Sequence, residues 1–133
     1  LSAAENLGVW AQLGGITADV PALLVRVGID PGRRDPVRTF SAGMRRRVAI
    51  ARMLLKKPDL VLLDEPFTAL DPEGREWLLG VIRGMRDDGV TLIMATHLPQ
   101  VASAVAGHAV ILDSGKVVYR GAVEQLPKEL AFE

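Results

Sequence analysis

The sequence contains no cysteine. It therefore has no disulfide framework, no cysteine-ligated zinc or iron–sulfur site, and no thiol nucleophile. Histidine is scarce too: His97 and His108 stand apart from each other, without the HExxH spacing of a zinc helix. Aromatic residues make up 5% of the chain and do not interleave with its basic residues, which argues against a stacking platform for single-stranded bases. No run approaches the roughly 18–20 apolar residues that span a bilayer. The most apolar window, Val101 to Leu112, is interrupted by Ser103, Gly107 and His108. No basic-then-apolar leader opens the chain, and its first residue is Leu1 rather than Met. The expectation is a soluble, cytoplasmic piece of a longer protein. What is present, 133 residues of which 49% are apolar and 24% charged, has the size and composition of one globular domain.

A net charge of zero hides a strong asymmetry. Residues 1–25 carry two acids and no base; residues 26–57 carry ten bases and two acids, a net +8; residues 58–133 carry six bases and twelve acids, a net −6. A basic block beside an acidic one suits nucleic acid, nucleotide phosphates or a partner surface, and equally a solvated helix face.

The first forty residues read as helices. Ser2 and Glu5 have capping-box spacing ahead of a helix over 3–13, which Gly14-Gly15 ends. A second helix is expected over 20–27, closed by Gly28 and followed by an Asp30-Pro31-Gly32 turn. An irregular basic connection covers 33–39. From Ser41 a third helix carries Val48, Ile50, Ala51, Leu54 and Leu55 on its apolar side and stops before Pro58. The pattern then changes. Leu60 to Leu63 and Thr91 to Ala95 read as strands buried on both faces, as in a parallel sheet. Between them a helix over 72–86 has Trp77, Leu78, Val81, Ile82 and Met85 as its apolar stripe. A short helix over 99–105 precedes two strands, 109–112 and 117–119, that flank the hairpin turn Asp113-Ser114-Gly115-Lys116. The order is that of an α/β fold with a largely parallel sheet.

The chemistry falls at element ends. Asp64 and Glu65 close the first strand, where open α/β sheets bind ligands. A strand cannot bury both carboxylates unpaired, so the backbone must turn there. A magnesium nucleotide fits that demand, with one acid near the metal and the next accepting a proton from an attacking water. A solvated Asp-Glu-Pro turn is the plainer reading. Thr96-His97 ends the second strand; if the two strands are neighbours, His97 lies beside the two acids, where it either contacts a phosphate or simply closes the strand. Ser41 and Gly43 open the basic helix, whose free amides and dipole suit an anion, although Ser41 also serves as an ordinary cap. Of Arg45, Arg46 and Arg47, at least one must face solvent, because successive helix residues point about 100° apart.

Taken together, these residues resemble a known family. Phe40 to Arg52 is similar to the signature segment of ATP-binding-cassette (ABC) ATPases. Leu60 to Pro66 resembles the Walker B strand with its glutamate, Ala69 to Pro72 the D-loop, and Thr96-His97 the switch-histidine loop. The resemblance implies a P-loop-type ABC ATPase fold in a single partial domain. Residues 1–40 correspond to the helical subdomain, and 41–133 run from signature helix to C-terminal hairpin. It implies ATP and Mg2+ as ligands, with Asp64 in the magnesium shell, Glu65 as general base and His97 at the γ-phosphate. Ser41 and Gly43 would bind the nucleotide of an opposing subunit, and Asp71 would couple the two sites while capping the next helix. The implied partners are a second ATPase subunit and a membrane permease that docks near residues 1–40. The protein would sit on the inner face of the cell membrane.

The sequence departs from the family in two ways. The signature reads Phe-Ser-Ala-Gly-Met instead of Leu-Ser-Gly-Gly-Gln, a form found among exporter-type members. No G-x-x-x-x-G-K-[ST] loop occurs to cradle phosphates, which implies a sequence entered in mid-domain and a chain that does not hydrolyse ATP by itself. The leading expectation is the ATPase subunit of a transporter, exporter-like, with the haem exporter of cytochrome c biogenesis as one candidate. No nucleic acid partner is expected. The alternatives are a soluble ABC ATPase of translation or DNA repair, which only the basic block favours, and a non-catalytic cassette, against which the intact Glu65 and His97 argue.

Overall fold

The computed structural model describes residues 1–130, so the last three residues of the expected domain lie outside it. The chain divides into two compact units, Leu1–Leu60 and Val61 onward.

The first unit is three helices, α1 (Ala3–Leu13), α2 (Val20–Arg26) and α3 (Ala42–Leu55), each touching the other two. The capping box is formed as expected. The Ser2 hydroxyl accepts from the Glu5 amide at 3.3 Å, and the Glu5 carboxylate accepts from the Ser2 amide at 2.8 Å. Ala3, Leu7 and Ala11 recur at four-residue spacing and are buried. On α2, the Asp19 carboxylate caps the start through the Ala22 amide at 2.9 Å, and Leu24 is fully buried. The helix ends one residue earlier than expected, in a Schellman motif: the amides of Gly28 and Ile29 reach the carbonyls of Val25 and Leu24, both at 2.9 Å. Gly28 has φ +72°, which favours glycine. Asp30 then holds the Gly32 amide at 2.9 Å in the expected turn. The basic connection contains one 3-10 turn, Val37–Thr39. Ser41 caps α3, along which Val48, Ala51 and Leu55 are buried together with Ile50 and Leu54. Each buried Leu, Ile or Val contributes about 1.5–3 kcal/mol.

The second unit contains β1 (Leu60–Asp64, its first residue belonging to the first unit), α4 (Pro72–Asp87), β2 (Thr91–Ala95), α5 (Pro99–Ala102), β3 (His108–Asp113) and β4 (Lys116–Ala122). β1 and β2 pair side by side. The Glu65 amide, just past the end of β1, donates to the Ala95 carbonyl at the end of β2. Carboxyl end thus meets carboxyl end, so the pair is parallel, with α4 in the connection. β3 and β4 form a separate antiparallel hairpin. Its two-residue turn, Ser114-Gly115, has φ of 48° and 77°, the type I′ geometry that matches strand twist.

Three expectations need correction. The strands are not buried on both faces. Val61 is 3% exposed, but Leu62 is 70% exposed and Ile93 59%. Side chains alternate at period two, and none of the described residues covers the face carrying Leu62. On α4, Trp77 is only half-buried, while Leu79 joins Leu78, Val81, Ile82 and Met85 inside; an indole is rarely enclosed completely. The short helix stops at Ala102, because the following amides of Ala104 and Val105 bond three residues back, to Val101 and Ala102.

Removing the cap hydroxyl in Ser2→Ala is expected to lower stability by about 1 kcal/mol. The hydrogen bond from the Ser2 amide holds the Glu5 carboxyl below its usual range. Its stabilising share is therefore present above the ordinary glutamate range and lost as pH falls through the lowered value. Urea unfolding followed by tryptophan fluorescence should show a smaller acid-side loss in Glu5→Gln than in the parent or in Ser2→Ala. A Ser2→Ala chain as stable as the parent would contradict the cap's contribution.

Candidate functional site

In the second unit, the end of β1 is a corner. Glu65 has φ +45°, in the left-handed region that costs a non-glycine residue about 1–2 kcal/mol. Continued alternation would send Asp64 and Glu65 to opposite faces of the strand. The left-handed residue breaks it, while the Glu65 amide still completes the ladder to Ala95 at 2.8 Å. Phe67, fully buried, anchors the turn beyond the corner.

The corner brings Glu65 to His97. His97 Nδ1 lies 2.8 Å from Glu65 Oε2, and the His97 amide reaches the same oxygen at 3.4 Å. The histidine hydrogen bond holds the Glu65 carboxyl below its ordinary range, so it is ionised at neutral pH. The pair is open to solvent, with the His97 side chain 67% exposed and that of Glu65 41%. With Nδ1 donating to the carboxylate, Nε2 is left for a second partner. Thr96 is turned to local use, its hydroxyl accepting from the Leu98 amide at 3.1 Å.

The other candidates stand at the ends of their own elements. Asp64 is exposed at the tip of β1. Asp71 caps α4, accepting from the Gly74 amide at 2.8 Å, with Pro72 at the first helical position, as its spacing implied. A side chain at Gly74 would collide with that carboxylate, its Cβ falling 2.8 Å from Oδ1. In the first unit, Ser41 is exposed and accepts from the Met44 amide at 3.2 Å, while Gly43 is open to solvent. Ser41 is thus a helix cap at a dipole end suited to anions.

Sequence reasoning missed what Arg45 and Arg47 do. Arg45 donates to the Phe40 carbonyl, and Arg47 donates to the Val27 carbonyl at 3.0 Å. Neither guanidinium is simply a solvated charge or a free anion ligand. The one sequence signal was Gly28, read only as a helix stop.

Among the described residues, no three His, Asp or Glu side chains gather as a metal cage. Magnesium shared with phosphates needs only one or two carboxylates, its remaining positions being filled by phosphate oxygens and water. The exposed Asp64, next to Glu65, is an oxygen donor of that kind, so the residues fit such an ion.

The family model described as ABC transporter matches residues 1–68. The chain belongs to the ABC transporter family. Nod factor export ATP-binding protein I of Cupriavidus metallidurans is 32% identical over 130 residues, covering 94% of this chain and 43% of that protein. The methionine import ATP-binding protein MetN of Caulobacter vibrioides is 36% identical over 129 residues, covering 92% of this chain and 39% of that protein. The chain thus spans less than half the length of these curated relatives. Proteins named for export and for import both match, so membership carries no direction of transport. The α/β fold also matches a solved ABC transporter, described as of metal-chelate type in an inward-facing conformation. The TM-score is 0.78 at 20% identity, over 97% of this chain and 56% of that one.

Replacing His97 with Ala is expected to move the Glu65 titration upward, toward the ordinary glutamate range. Carbon-13 NMR of the Glu65 carboxyl reads this directly. A titration that His97→Ala leaves in place would mean that the pair does not form in solution.

Proposed function

We propose that the chain is part of the ATP-hydrolysing subunit of an ABC transporter, with Glu65 as the base that takes a proton from the water attacking the γ-phosphate. The observation that carries this reading is the Glu65–His97 pair at adjacent strand ends. An ionised carboxylate accepts the proton, and its hydrogen bond to Nδ1 holds the imidazole so that Nε2 can meet a phosphate oxygen. Asp64 would hold Mg2+, directly or through water, where the ion would supply neutralisation of phosphate charge. Ser41 and Gly43 bind the nucleotide of a second ATPase subunit, and Asp71 couples the two sites.

In this reading a permease docks near residues 1–40 and keeps the subunit on the cytoplasmic face of the membrane. Among the described residues, no helix is long and apolar enough to cross a membrane. The Ser-Ala-Gly-Met form of the signature supports export. A nucleic-acid role rests on the basic block alone, and two of its arginines are engaged with backbone carbonyls.

In the complete protein, Glu65→Gln is expected to cut turnover by about 10²–10⁴-fold while ATP still binds. Glutamine keeps the size and one acceptor oxygen but takes no proton at neutral pH. Asp64→Asn should instead weaken magnesium and nucleotide together. Near-normal turnover in Glu65→Gln would remove Glu65 from the role of base.

A further inference from the structure

We infer that Arg47 is a positioning residue that fastens the signature helix α3 to the end of α2, so that Ser41 and Gly43 move as one body with α2. The inference rests on the proposed role of Ser41 and Gly43 at an opposing nucleotide. The Schellman motif at Gly28 occupies the carbonyls of Leu24 and Val25 but leaves that of Val27. Arg47, in the second turn of α3, donates to this carbonyl from twenty residues away in sequence, at 3.0 Å. A cation at a helix C-terminus also meets the negative end of the dipole.

The guanidinium takes up the space where a side chain at residue 28 would begin, so a Cβ there would displace it. A Cβ there would lie 2.5 Å from Arg47 Nη1. Gly28 thus serves two ends at once, the left-handed cap and the passage for the guanidinium. The start of α3 is held as well. Phe40 is 3% exposed, its carbonyl accepts from Arg45, and Arg33 stacks 5.1 Å from its ring centre while paired with Asp35. With both the start and the second turn of α3 tied down, Ser41 and Gly43 have little freedom relative to α2.

The test uses the complete protein carrying Glu65→Gln, in which ATP is expected to accumulate a closed dimer. Adding Arg47→Met should raise the ATP concentration for half-maximal closure about tenfold, the effect of losing one charged hydrogen bond. ATP affinity of the separate subunit should not change. Arg47→Lys should recover part of the loss. Gly28→Ala should impair closure more in the Arg47 parent than in the Arg47→Met background, because only the parent has a guanidinium to displace. Strain at residue 28 alone would cost the same in both.

Hydrogen exchange at the Gly28, Ile29 and Met44 amides reads the link without reference to closure: faster in Arg47→Met, close to the parent in Arg47→Lys. Exchange unchanged by Arg47→Met, or strictly additive effects of Arg47→Met and Gly28→Ala, would overturn the inference. If the Glu65→Gln protein never closes, the proposed function fails, and the exchange result still decides the link.

Discussion

The hydrogen bond from the Glu65 amide to the Ala95 carbonyl is the last rung between β1 and β2, and the candidate site of the second unit is built on it. It holds two strand ends in register that are thirty residues apart in sequence. It also occupies the Glu65 amide, and the chain leaves the sheet by turning at Glu65 itself. The left-handed φ of that residue is how the turn is made. A carboxylate on a regular strand would continue the alternation; at this corner it reaches the imidazole of His97, two residues past the end of the neighbouring strand.

The same economy recurs at the helix starts. Ser41 and Asp71 are both N-caps whose side chains accept from the amide three residues on. A cap presents a polar side chain beside unpaired amides and the positive end of a dipole, which is also what an anion requires. For Ser41 the local role and the proposed ligand role are compatible, because a hydroxyl that accepts from the Met44 amide still has a proton to donate; the Asp71 carboxylate, itself an anion, fills the place beside its own helix start. The arginines beside Ser41 divide the work differently, with Arg45 and Arg47 holding backbone so that the cap stays placed.

What was legible in the sequence was local. The Ser2–Glu5 box, the Asp30 turn, the Asp71-Pro72 helix start and the Ser114-Gly115 hairpin each depend on residues within a few positions of one another, and each formed. The Glu65–His97 pair was legible only on the condition that the two strands were neighbours, which the structure meets. Burial was less legible. Leu62 and Ile93 belong to apolar runs that suit a strand covered on both sides, but cover comes from other elements, and none of the described residues supplies it. The Arg47–Val27 contact was hardly legible for a related reason: its partner is a backbone carbonyl, and only Gly28 marked the place.

The central claim is that Glu65 of one chain and Ser41 of another act on the same nucleotide. Complementation tests it most directly. In the complete protein, Glu65→Gln and Ser41→Arg should each nearly abolish turnover in homodimers. A mixed dimer of the two variants places both lesions at one site and leaves the other intact, so combining the inactive proteins should restore ATP hydrolysis. A mixture that exchanges subunits yet stays as inactive as its parents would mean that Ser41 acts on its own chain's nucleotide, and would contradict the account.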